Sequence, residues 1–185
     1  MSRIAGVDAR GHGVDFIVDA RGRRACRPLP TDAAEARERG VGMESAIFFC
    51  PAWWRKRLPP GVLGLDQAGA LGGRVWEALA LTPGRSAAGT MPPRCRILLL
   101  PGDAPAEAEA ETVITYGLSP RDSLTLSSLA EPVLCVQRAL PRPDGAVIEP
   151  QEFPLPPLPA PAEELLPLLG LKLLYMPLDG RGNLW

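Results

Sequence analysis

The chain has 185 residues, 46% of them hydrophobic, enough to build a real core. Its net charge of −1 and pI near 5.9 create no long-range field that would favour nucleic acid or anionic lipid. No apolar run approaches the roughly 18–20 residues of a spanning helix, and "MSRIAGVDARGHGVDF" lacks the pattern of a signal peptide. The expectation is a cytoplasmic protein without a nucleic-acid or membrane partner. One α/β domain over 1–185 is expected, with 1–30 as a small β appendage and 178–185 as a loose tail.

Taken in order, "RIAGVDA" and "VDFIVDARGRRA" alternate apolar and polar residues and predict a small hairpin. "TDAAEARERGVGM" at 31–43 predicts a short exposed helix, with Thr31 or Asp32 as its cap and Gly40 as its stop. "SAIFFC" at 45–50 is a continuous apolar run that ends at Pro51, the pattern of a buried strand. "PAWWRKRLPPG" reads as a loop. Asp66 is placed to cap a helix over "QAGALGGRVWEALAL", with Leu71, Val75 and Leu79 on one face. A link at 86–93 leads to "CRILLLPGD" at 95–103, the clearest buried strand. "APAEAEAE" at 104–111 predicts a helix with Pro105 in its first turn. "TVITYG" is again a strand, so residues 95–117 predict a βαβ unit.

Beyond Leu124 the pattern turns antiparallel. "LTLSSL" is a short strand, and "EPVLCVQRALPRPDGAVIEPQEFPL" folds back at Pro-Asp-Gly 143–145. A stiff proline-rich link then precedes a helix over roughly 161–169, with Leu165, Leu168 and Leu169 facing the core. The fold class expected is α/β: a mostly parallel three-layer sheet with an added antiparallel hairpin near the C-terminus.

Several chemistries lack their residues. Lys56 and Lys172 are the only lysines and neither follows a glycine-rich loop, so there is no phosphate loop for ATP. The G-x-G-x-x-G fingerprint and the G-x-S-x-G elbow are missing, and His12 is the sole histidine. Cys26, Cys50, Cys95 and Cys135 form no C-x-x-C pair and read as core thiols before metal ligands. No metal or cofactor is expected. Glu107, Glu109 and Glu111 would fan into solvent from the predicted helix. Asp103 follows a buried strand at the edge where open α/β sheets bind ligands, and equally suits the cap of the next helix. Trp53, Trp54 and Arg55 form either an exposed interaction patch or a partly buried pair.

The stretch "ILLLPGDAPAEAEAETVITYGLSPRDSLTLSSL" resembles the late part of the central domain of Mur ligases, the amide-forming enzymes of peptidoglycan synthesis. Asp103, Tyr116, Gly117 and Leu118 hold the matching places. "VLCVQRALPRPDGAVIEPQEFPLP" is similar to that family's hairpin, so the likeness spans residues 95–170. The family's phosphate loop is absent. The resemblance implies a shortened relative without ATP chemistry, with Asp103, Tyr116 and Ser119 as ligand-binding candidates. A non-catalytic binding or regulatory protein connected with cell-wall metabolism is expected, with a protein partner or a nucleotide-sugar ligand. The alternative is a small enzyme using carboxylates at the strand ends. Gly117 is expected to adopt a left-handed backbone, with Leu118 returning to the core.

Overall fold

A computed structural model describes residues 2–7, 13–18, 24–28, 43–84, 92–105, 108–128 and 131–176. The expected helix at 31–43 (but for its last residue), most of the 86–93 link, His12, Glu107 and the 178–185 tail lie outside the described residues. The chain divides into two compact units, 1–42 and 43–185. The first contains three antiparallel strands in sequential order, β1 (Ser2–Val7), β2 (Gly13–Val18) and β3 (Arg24–Pro28). The first two are the hairpin that period-2 alternation predicts, and β3 adds "RACRP" to it.

The second unit is built on a mixed, mostly parallel sheet of eight strands. Its strands in chain order are β4 (Ser45–Phe48), β5 (Val62–Leu65), β6 (Val75–Leu81), β7 (Arg94–Pro101), β8 (Glu109–Tyr116), β9 (Leu124–Leu126), β10 (Val133–Val136) and β13 (Gln151–Pro154). In space they run β13-β10-β9-β8-β7-β6-β4-β5. Pairing is parallel from β5 to β9 and antiparallel at β9-β10 and β10-β13. The strand "ILLLP" sits in the interior of the sheet, as its apolar character on both faces requires. A small hairpin of β11 (Leu140–Pro141) and β12 (Val147–Ile148) brackets the Pro-Asp-Gly turn, where Gly145 has φ +87°.

Two predicted helices are strands. "VWEALAL" forms β6, paired with β4 and β7, and the Leu71/Val75/Leu79 spacing does not mark a helix face. Leu71 instead sits in the turn before the strand, where its carbonyl accepts the Trp76 indole N–H at 3.1 Å. "EAE" at 109–111 opens β8 rather than ending a crossover helix, and among the described residues Asp103 caps no helix. Residues 102–108 link β7 to β8, short of the dozen or so that a helical crossover takes. Period-2 alternation prevails over the helix propensity of Ala and Glu, because Glu109 and Glu111 lie opposite Arg94 and Arg96 on β7. The ion pairs are 3.4 and 3.5 Å.

The paired registers pass over Glu77, Arg96 and Glu111. Trp76 and Cys95 pack into the cluster on one face, whereas Ala78 and Ile97 pack into the cluster on the other. The face alternation therefore shifts by one residue at this level on neighbouring strands together, with the pairing register unchanged on either side. Arg96 is ion-paired to Glu77 at the same level, both mostly shielded from solvent.

Among the described residues one α-helix, α1 (Ala162–Tyr175), lies over the sheet and is buried almost all round. It is longer than the segment predicted over 161–169, continuing past Pro167, Gly170 and Lys172. Gly170 makes this possible: a Cβ there would stand 2.6 Å from Leu99 Cδ2 and 3.0 Å from Leu124 Cδ1. The helix can approach β7 and β9 only where no side chain intervenes. At its C-terminal end, the Tyr175 hydroxyl shares a hydrogen bond with Ser45 Oγ, which also accepts the Ala78 N–H at 3.1 Å. Burial pushes the Tyr175 phenol up to about 12, while the bond to Ser45 pulls the other way. Cys50, Cys95 and Cys135 are buried free thiols. No helix among the described residues is long and apolar enough to cross a membrane.

Candidate functional site

In a parallel sheet, ligands collect beyond the carboxyl ends of the strands where the chain reverses its direction of travel across the sheet. Here β4 leads on to β5 at one side, and β6 leads on to β7 at the other. The reversal falls between β4 and β6. A cleft of about 420 Å³ opens there, a volume suited to a small molecule. Phe49, Cys50 and Pro51 line it from the end of β4, Asp66 from the end of β5, and Thr82 and Pro83 from the end of β6. Trp54, from the 3₁₀ segment Ala52–Arg57, and Glu164, from the first turn of α1, complete the lining.

Local geometry shapes each wall. Phe49 has φ +59°, a left-handed backbone that a bulky residue adopts at a cost. That turn ends β4 at Phe48 and carries the Phe49 N–H to the Leu65 carbonyl at 2.7 Å. Thr82 is buried, and its hydroxyl donates to the Phe48 carbonyl at 3.0 Å, tying the ends of β4 and β6 together. Gly64 stands behind Cys50, since a Cβ there would come within 3.0 Å of the Cys50 side chain. Arg55 and Asp66 form an ion pair at the rim. Burial raises the Cys50 thiol above its ordinary range; Arg55 pulls it down and Asp66 pushes it up. The thiol is therefore a protonated wall rather than a nucleophile. Trp54 is 4% exposed, and its indole Nε1 has no hydrogen-bond partner among the described residues.

The residues singled out in sequence divide between this cleft and a second cluster. Trp54 lines the cleft and Arg55 holds its Asp66, while Trp53 is 43% exposed and meets Trp54 edge to face at 5.9 Å. Asp103 and Ser119 are exposed beyond β7 and β8 and do not line the cleft. The Tyr116 ring is buried and its hydroxyl donates to the Leu81 carbonyl. Burial first, then the charge of Asp103, raises the Tyr116 phenol. Tyr116 thus fixes the end of β8 to that of β6.

Gly117 is not left-handed, contrary to expectation, and Leu118 is 55% exposed instead of returning to the core. The demand on Gly117 is space. A Cβ there would lie 2.6 Å from Asp122 Oδ2, and a Cβ on Gly102 would lie 1.8 Å from Asp122 Oδ1. The buried Asp122 carboxylate fills the gap between the two strand ends and accepts the Ser119 N–H at 3.2 Å. This seat was not anticipated from sequence. Of the cleft residues, the sequence does not single out Phe49, Pro51, Thr82, Pro83 or Glu164, reads Cys50 as a core thiol, and takes Asp66 as a helix cap. Thr82 and Pro83 follow a run that reads as helix; taken as a strand, its end would have pointed to them.

Comparison of the chain with family models, with curated proteins and with solved structures found no match.

Proposed function

We propose that this is a non-catalytic ligand-binding protein of the α/β class whose site is the cleft between the carboxyl ends of β4 and β6. The observation that carries this reading is the coincidence of the cleft with the point where strand order reverses. The chemistry of the lining supports binding over turnover. The Cys50 thiol is held protonated, and the Thr82 hydroxyl is committed to a backbone carbonyl. The lining contains no histidine to act as a base. On this reading the sheet is the middle of three layers, with α1 over one face and the segments carrying Leu71 and Ala104 over the other. The resemblance of residues 95–170 to Mur ligases connects the ligand with cell-wall metabolism in the cytoplasm, and makes UDP-linked muramyl precursors the first compounds to test.

The test is thermal unfolding in the presence of nucleotides and UDP-linked muramyl precursors, with wild type beside Pro83→Trp, which fills the cleft from its exposed rim. A ligand at 100 times its Kd stabilises by about 2.7 kcal/mol. The reading requires a ligand that stabilises wild type and not the variant. Ligands that stabilise both equally would place binding elsewhere.

A further inference from the structure

The acidic side chains of the lining are Asp66 and Glu164. Asp66 follows β5 and Glu164 lies in the first turn of α1, and no lysine or arginine lines the cleft. Asp66 is answered by Arg55 at the rim. Glu164 has no ion pair among the described residues. The remaining wall is Phe49, Cys50, Pro51, Trp54, Thr82 and Pro83, a mostly apolar surface with two aromatic rings. Aromatic faces carry partial negative charge and favour a cation over an anion. The N-terminus of α1 brings partial positive charge to the same place, and Glu163 and Glu164 in its first turn counter it. Lys56 and Arg57 belong to the neighbouring 3₁₀ segment but stay outside the lining.

Building on the proposed binding role, we infer that the cleft takes a ligand carrying an ammonium group on an apolar body, with Glu164 receiving the charge and the Phe49–Pro51 and Pro83 walls receiving the body.

The experiment is calorimetric titration of the full chain with three probes of similar shape: 2-phenylethylammonium, 2-phenylethanol and phenylacetate. The ammonium is expected to bind tighter than the alcohol by roughly twofold to fivefold, the range of a partly exposed ion pair, and phenylacetate weakest. Added salt should narrow the preference. Glu164→Gln should abolish it. Glu163→Gln, which changes the same helical turn but not the lining, should leave it in place and so separates a contact from a general helix effect. Equal binding of ammonium and alcohol, tighter binding of phenylacetate, or an unchanged preference in Glu164→Gln overturns the inference while leaving the cleft as the site. Failure of all three probes also overturns it, and the nucleotide panel with Pro83→Trp then decides the cleft separately.

Discussion

Replacing Gly102 with alanine should be among the costliest small substitutions in this protein, and the cost should depend on one side chain. An added Cβ would lie 1.8 Å from Asp122 Oδ1, 2.7 Å from its Cγ and 3.0 Å from its Oδ2. Asp122 is 5% exposed and short, so it must leave its seat rather than swing aside. Leaving forfeits the charged hydrogen bond from Ser119 N–H, about 1.5–3 kcal/mol. Crowding adds about 1–3 kcal/mol, and reduced freedom of the unfolded chain returns about 0.4–1 kcal/mol. A net loss of about 3 kcal/mol is expected. In an Asp122→Ala background the obstruction is gone, and Gly102→Ala should cost less than about 1 kcal/mol. The assay is urea denaturation of the four proteins of the cycle, followed by tryptophan fluorescence. Trp53, Trp54 and Trp76 all belong to the 43–185 unit, so their signal reports on that unit. A coupling of about 2 kcal/mol supports the seat. Additivity within about 0.5 kcal/mol would refute it.

Gly170→Ala sets a gain of about 0.8–1 kcal/mol in helix propensity against overpacking of Leu99 and Leu124, about 1–3 kcal/mol; a net destabilisation is expected, and a raised urea midpoint would show that the helix has room to spare. Arg96→Met leaves the mostly shielded Glu77 carboxylate without its partner and should cost about 1–3 kcal/mol, whereas Glu111→Gln, at an exposed site, should cost less than about 1 kcal/mol, both read as urea midpoints. Tyr116 and Tyr175 are the chain's two tyrosines, and both phenols are raised above the ordinary 10.0 by burial. A raised pKa means the folded state holds its proton longer, so this contribution to stability is complete below pH 10 and is lost as pH rises towards 12 and above. Tyrosinate absorbance should therefore appear only with unfolding; a midpoint near 10 with circular dichroism unchanged would contradict the burial of both rings.

The apolar runs at 45–50 and 95–103 were legible as strands because burial on both faces leaves no other use for them; the run at 112–117 was legible too, although Val113 on it is exposed. The Pro-Asp-Gly turn and its antiparallel surroundings were legible from turn chemistry. Residues 75–81 and 104–111 were not, for opposite reasons. "VWEALAL" is apolar but for Glu77, so periodicity carries little signal, and a chance Leu71/Val75/Leu79 spacing fits a helix. "AEAEAE" has the period of a strand but the residues of a helix; its partners Arg94 and Arg96 lie on a neighbouring strand and are invisible locally. The cleft was half legible. Trp54 and Arg55 stand out by type. Thr82, Pro83 and Glu164 reach the cleft only through the sheet order and the docking of α1, which no local pattern encodes. The need for glycine at 117 was legible, but its cause lies in Asp122, brought against it by the turn that follows.

The most direct test of the cleft as the ligand site is a map of amide and indole shifts on adding an ammonium-bearing probe such as 2-phenylethylammonium. The largest changes should fall on Phe49, Cys50, Trp54, Asp66, Thr82 and Glu164, and fade in Pro83→Trp. Shifts centred on Asp103, Ser119 and Asp122 with Phe49 and Thr82 unmoved would contradict it, and would place the site at the ends of β7 and β8.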